Sequence, residues 1–215
     1  MAYHIFAYLK KHPDMGKLAY DPHAPDIDET FFYANADWKD FYGNVTEELP
    51  PNMPEPWEDL VNISAFIDAN HTGNIVMWHS HTGIFIFIQN ALIIWFSKKQ
   101  NTVEAATFGS KFVALRICKE MIVAVHYKKL RMFGVLIELP ANVFCDNHGV
   151  VKNVSIPEST LMKKHNAINY HAVREAVVAG ILRVGKEDRE TNLADLLMKV
   201  LTGEKQWNLC WHIMW

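Results

Sequence analysis

The chain has 215 residues and a mass of 24.7 kDa; 50% of its residues are hydrophobic and 21% charged, which excludes a disordered or low-complexity chain and leaves room for one substantial core. No apolar run approaches the roughly 20 residues that span a bilayer, and Met1–Lys10 lacks the basic-then-apolar order of a secretory signal, so an intracellular, non-secreted protein with no membrane partner is expected. Three cysteines (Cys118, Cys145, Cys210) without Cys-x-x-Cys spacing point to free thiols in a reducing compartment and exclude a disulfide scaffold or a zinc finger.

The net charge of −3 hides an asymmetry. Residues 21–60 hold 11 acidic residues, one basic residue and six prolines, whereas residues 61–215 hold 17 basic and 12 acidic residues. An acidic, solvated, Pro-rich segment is therefore expected ahead of a mildly basic domain that could meet a nucleic acid.

In chain order, residues 4–12 suit a short helix that Pro13 ends. Leu49–Trp57 reads as an extended linker, with the domain boundary near Trp57. Val61, Ile63, Ala65 and Ile67 alternate along a strand that is expected to end at Asp68. Gly83–Ile88 and Ala91–Phe96 flank Gln89-Asn90 as a tight hairpin requires, and Trp95 and Phe96 are expected to pack in the sheet. The period then lengthens. Phe108, Phe112, Leu115, Ile122 and Val125 predict helix over 107–133, in one piece or two.

Asn142–Cys145 is a short buried strand, residues 166–179 a helix with Gly180 at its C′ position, and Ile181–Val184 a fifth strand. A last helix, Leu193–Leu201, is expected to be capped by Thr191 or Asn192 and stopped by Gly203, leaving 204–215 as an apolar tail. The order βββ-α-β-α-β-α implies a mixed sheet with parallel crossovers.

Two of these strands end in aspartate, Asp68 and Asp146, and crossover strands present their C-terminal ends to one rim of a sheet. Asp195 lies in the first turn of the last helix. Three such carboxylates could converge, and hard oxygen ligands of this kind select Mg²⁺. His79 and His81 are two apart, as metal ligands on a strand would be, but they lack a third partner.

Over residues 60–203 the chain resembles the ribonuclease H domain of copia-type retrotransposon polyproteins. Eight segments in order carry the resemblance: Phe66-Ile-Asp-Ala-Asn70, Ser80-His-Thr-Gly83, Ile94-Trp-Phe-Ser-Lys-Lys-Gln100, Thr107-Phe-Gly-Ser-Lys-Phe-Val-Ala-Leu115, Cys145-Asp-Asn-His148, Lys164-His165, Tyr170-His-Ala-Val-Arg-Glu175 and Asn192-Leu-Ala-Asp-Leu-Leu197. Residues 1–57 resemble the tail of a reverse transcriptase followed by the acidic linker, and 58–203 the ribonuclease H-like domain.

The resemblance implies an α/β fold with a five-stranded mixed sheet, order 3-2-1-4-5, flanked by helices. It implies two Mg²⁺ or Mn²⁺ ions about 4 Å apart, hydrolysing the RNA strand of an RNA–DNA hybrid, with the reverse transcriptase portion of a polyprotein as partner. Asp68, Asp146 and Asp195 match three metal-binding carboxylates. Lys98, Lys99, Asn147, Lys164 and His165 are expected substrate contacts.

The fourth carboxylate should be a glutamate, and its position is Lys111. Lys111 shares a helical stripe with Phe108, Leu115 and Cys118. A lysine there ordinarily snorkels to an edge; because this stripe abuts the acidic rim, Lys111 is expected to point into the site and leave room for one ion at most. Glu104 and Glu120 are poorly placed to replace the glutamate. With Trp78-His79 in place of a basic pair and His148 in place of a glutamine, the pattern is that of a degenerate, impaired copy. The alternative is a non-catalytic nucleic-acid- or protein-binding module on the same fold.

Overall fold

Apolar residues alternating with period two, interrupted by left-handed turns, build a sheet whose two faces are buried separately. The computed structural model describes residues 23, 25–34, 36–47, 51–70, 79–104, 106–126, 130–137, 139–161 and 166–213; the helix expected over 4–12 lies outside them. The described strands are β1 (Trp57–Leu60), β2 (Ile63–Asn70), β3 (His81–Ile88), β4 (Ala91–Lys99), β5 (Val135–Leu136), β6 (Ala141–Cys145) and β7 (Leu182–Lys186). The helices are α1 (Lys39–Tyr42), α2 (Thr107–Val125), α3 (His148–Ser155), α4 (Ala167–Val178) and α5 (Gly203–Trp211).

The main sheet has the order β4-β3-β2-β6-β7, antiparallel on the β3 side and parallel on the β6 side, which is the arrangement expected for five strands counted from Ile63. Gln89, in the left-handed region at φ 54°, turns the β3–β4 hairpin, and its side-chain oxygen accepts from the Asn62 amide. β1 and β5, which sequence reasoning did not find, pair in parallel as a separate two-stranded sheet.

One face of the main sheet buries Ile63, Ile67, Ile84, Ile86, Val143 and Val184 against Phe112, Leu115 and Ile122 of α2, Val150 and Val154 of α3, and Val173 of α4. Each such side chain contributes about 1.5–3 kcal/mol of transfer free energy. The opposite face buries Phe85 and Phe87 beneath Leu193 and Leu209. Gly180, at φ 70°, ends α4 in the left-handed conformation that its position requires.

Three local expectations change. β2 continues to Asn70 because its antiparallel pairing with β3 outlasts its parallel pairing with β6, which stops at Ile67. The last expected helix is a short 3₁₀ turn, Leu193–Leu197, and Gly203 opens α5 instead of ending a helix, with Thr202 as its cap. Trp95 is 60% exposed, because Leu193 and Leu209 cover Phe85 and Phe87 of the neighbouring strand but do not reach it; Phe96 packs against the α2-side core.

Residues 25–34 and 36–47, acidic by composition, lie against the domain. Aromatic residues interleaved with the acids account for this. Phe32 forms an antiparallel bridge to Gly185, covering the edge strand β7, and its ring lies where a Cβ on residue 185 would come within 2.9 Å. Glu29 accepts two hydrogen bonds from Arg183 (2.5 and 2.7 Å). Trp38, Tyr42 and Tyr170 surround the buried Arg174 guanidinium at 4.6, 5.4 and 4.8 Å, while Arg174 donates to the carbonyls of Asn153, Pro157 and Ser159.

Glu47 accepts from Arg131 at 2.7 Å, close to His126 at the end of α2. His126 is 1% exposed, and neither ring nitrogen has a hydrogen-bond partner among the described residues. Burial pushes its pKa down to about 4; the Glu47 charge acts in the opposite direction and Arg131 in the same one. The unfolded chain therefore takes up this proton first, at the ordinary value of 6.5. Stability should be complete above pH 6.5 and fall by up to roughly 3 kcal/mol as pH drops to 4. Denaturant titrations across this window should show the loss in the wild type and flatten it in His126→Leu.

Candidate functional site

The site forms where β6 stops. β6 pairs with β2 only from Asn142 against Ser64 to Cys145 against Ile67, so Asp68 and Asp146 are the first residues of their chains past that pairing. Both carboxylates are buried, with side chains 1% and 4% exposed.

Asp195 reaches the same place by a different route. Asn192 caps the 3₁₀ turn by accepting from the Ala194 amide (3.0 Å) and donates to the Ile67 carbonyl (3.0 Å), which ties the turn to β2 one residue before Asp68. Gly83, opposite Asp68 on β3, admits the turn: a Cβ there would lie 2.8 Å from the Ala194 carbonyl and 3.1 Å from Leu197.

Lys111 is held by a polar network at the start of α2. Ser80 donates to the Ser110 hydroxyl (2.9 Å), and the Gln100 side-chain amide donates to the Thr82 hydroxyl (2.9 Å) and the Ser110 carbonyl (2.8 Å). This locks the helix to β3 and β4 beside Lys111, which is 5% exposed. The Lys111 ammonium is 2.6 Å from Asp68 Oδ1 and donates to Asp146 Oδ1.

Lys199, which sequence reasoning missed, lies 2.8 Å from Asp68 Oδ2 and 2.6 Å from Asp195 Oδ1. Lys205 adds contacts of 3.3 Å to Asp195 Oδ2 and 3.0 Å to Glu190. The i,i+4 spacing of Asp195 and Lys199 was a local signal for the first; nothing local marks Lys205.

Burial alone would raise Asp68, but the Lys111 and Lys199 ammoniums outweigh it and hold its carboxyl below the ordinary range. Burial likewise works against the charge on Lys111, yet Asp68 and Asp146 raise its pKa. The ammonium of Lys199 is raised in the same way, against burial, by Asp195 and Asp68. For Asp195 burial dominates and the carboxyl is pushed up.

Thus Asp68, Asp146, Asp195 and Lys111 come together. Asn147 is next to them, with its side chain accepting from the Val150 amide as the cap of α3. Lys98 and Lys99 are exposed at the end of β4, paired with Thr82 and His81. Lys164 and His165 lie outside the described residues. Glu104 is buried against Gly109 and Asn166, and Glu120 pairs with Arg116 on the surface of α2.

His79 precedes β3, so it does not share a strand with His81, which bonds to Ser97 (2.9 Å); His148 meets the Tyr33 hydroxyl (3.0 Å). Among the described residues no group of three or more His, Cys, Asp and Glu could hold a metal. The three cysteines are free, and burial pushes Cys145 up to about 12, far from a reactive thiolate.

The sheet order, the helices on its faces and the acidic rim at the end of β2 and β6 define a ribonuclease H-like α/β domain. LC11-RNase H1, isolated from compost and solved in complex with an RNA/DNA hybrid, superposes with a TM-score of 0.51 at 16% identity, covering 64% of this chain and 94% of that one. No family model matches the chain.

Its homologues are retrovirus-related Pol polyproteins of copia-type transposons. The one from transposon RE2 of Arabidopsis thaliana is 27% identical over 144 residues, 67% of this chain and 10% of the polyprotein. The one from TNT 1-94 of Nicotiana tabacum is 30% identical over 149 residues, 69% of this chain and 11% of the polyprotein. The chain thus spans about a tenth of the length of these relatives. Among the described residues no helix is long and apolar enough to cross a membrane.

Asn192 joins the turn to the sheet, and its loss strands the buried Ile67 carbonyl. Asn192→Ala should cost about 2–3 kcal/mol in chemical denaturation, more than an ordinary exposed cap.

Proposed function

We propose that this chain is a retrotransposon-derived ribonuclease H domain, directed at RNA–DNA hybrids, in which hydrolysis of the RNA strand is impaired. The fold and the homologous polyproteins support the class of domain. One observation carries the impairment: the Lys111 ammonium sits between Asp68 and Asp146, where the resemblance calls for a fourth carboxylate.

The parent chemistry depends on divalent ions, Mg²⁺ or Mn²⁺, held by carboxylates. The residues present do not fit that pair of ions. Lys111 takes one oxygen each of Asp68 and Asp146, and Lys199 and Lys205 stand against the oxygens of Asp195, so no pair of ions has a place among these carboxylates.

In this reading residues 58–203 form the hybrid-directed domain, 1–57 the end of a reverse transcriptase with its acidic connection, and 204–215 a C-terminal tail whose helix α5 packs on that domain through Leu209. The reverse transcriptase part of a polyprotein is the natural partner.

The same ion pairs favour a second reading, a non-catalytic binding module that retains the fold. Lys98 and Lys99, exposed at the end of β4, are the phosphate contacts proposed in either reading.

A hydrolysis assay on an RNA–DNA hybrid with Mg²⁺ or Mn²⁺, using Asp68→Asn as background, tests the proposal. The unmodified protein should cleave no faster than that control; robust metal-dependent cleavage would refute the impairment. Hybrid affinity should fall steeply between roughly 50 and 200 mM salt, as phosphate contacts do. Affinity indifferent to salt would remove the nucleic-acid reading and leave a protein-binding one.

A further inference from the structure

The buried carboxylates have a complete set of internal counter-cations. Asp68, Asp146 and Asp195 carry −3, and Lys111, Lys199 and Lys205, each within 3.3 Å of one or two of them, return +3. At the periphery Glu190 pairs with Lys205 at 3.0 Å, and Arg189 stands 3.9 Å from Asp146, so the outer charges also cancel.

The geometry is as telling as the sum. Asp68 divides its two oxygens: Oδ1 faces Lys111, which also meets Asp146, and Oδ2 faces Lys199, which also meets Asp195. Two ammoniums thus bridge three carboxylates through a shared central one.

We infer that Lys111, Lys199 and Lys205 are the resident cations of this centre, making it a metal-independent ion-pair node that joins β2, the end of β6, the 193–197 turn and the start of α5. This deepens the impaired-hydrolase reading. Its test reads stability and metal stoichiometry, so either can fail without the other.

The two bridging lysines are unequal. Lys111 is almost wholly buried and fixed by the Ser80–Ser110–Gln100 network, whereas the Lys199 side chain is 35% exposed. Removing one partner from such a node leaves a carboxylate buried and uncompensated. The count of positive charge sets the number of divalent ions the centre accepts. The wild type, at zero, accepts none. Lys111→Glu carries −4 against the +2 of Lys199 and Lys205, a deficit that one divalent ion fills. Lys111→Glu with Lys199→Ala carries −4 against +1, a deficit of three that one divalent ion leaves short by one, so a second ion is admitted.

Scanning calorimetry in EDTA and in Mn²⁺, with isothermal titration of Mn²⁺, tests the assignment. The wild-type Tm should be the same in both within about 1 °C, with no Mn²⁺ uptake. Lys199→Ala should lower Tm by roughly 5 °C or more in EDTA. Lys111→Glu should be destabilised in EDTA, recover in Mn²⁺ and bind one ion, and the double variant should bind two. If Lys111→Glu does not fold without metal, the Lys199→Ala result still decides. Mn²⁺ uptake with a rise in Tm by the wild type, or an unchanged Tm in Lys199→Ala, overturns the assignment.

Discussion

The Lys111 ammonium between Asp68 and Asp146 is the contact on which the rest of the site depends. Two carboxylates that stand side by side where the pairing of β2 and β6 ends, both nearly inaccessible, repel each other in a medium that screens poorly. Burying either one alone would cost several kcal/mol. The neighbouring structure holds a cation against them. Ser80 and Gln100 fasten the start of α2 to the sheet, while Gly83 and Asn192 bring the 193–197 turn, and with it Asp195 and Lys199, down onto Asp68.

This cluster does not supply most of the stability of the domain. Desolvating three acids and three lysines offsets much of their mutual attraction, so the net value of the cluster is small beside that of the two apolar layers. Its effect is on uniqueness. Each member is tolerable only with the others in place, which couples the position of the 3₁₀ turn to the register of β2 and β6. The apolar face built from Ile63, Ile67, Phe112 and Val143 holds the strands and helices together and would accept small slips; the ion pairs would not.

How much of this was legible depended on whether the signal was local. Alternation at Ile63, Ala65 and Ile67, and again at Ile84 and Ile86, identifies strands with buried faces, and the Gln89-Asn90 turn fixes their pairing. The inward direction of Lys111 followed from its stripe with Phe108, Leu115 and Cys118. The docking of Phe31, Phe32 and Trp38 was hidden by the acidic composition around them, since charge counts do not show where the aromatic residues between the charges go. Lys199 was legible only as the i,i+4 partner of Asp195; that it also reaches Asp68 depends on the turn docking on β2, and Lys205 comes from α5, which the sequence pattern does not show. The roles of Ser80, Thr82 and Gln100 depend on three separate elements meeting, which no local pattern records.

A glutamate-to-lysine exchange changes local charge by +2, the charge of one divalent ion. At a site built to hold cations among carboxylates, this exchange is therefore less disruptive than it would be in an apolar core: the lysine brings in covalent form the charge that the acids require. Its four-carbon stem continues the apolar stripe of α2, and its ammonium reaches two acids at once. What it cannot reproduce is exchangeable coordination. An ammonium donates its hydrogens to fixed oxygens and leaves no open position for a phosphate oxygen or an activated water. In the proposed reading one residue has both effects: Lys111 meets the electrostatic requirement of the buried acids and occupies the place where exchangeable coordination would have to form.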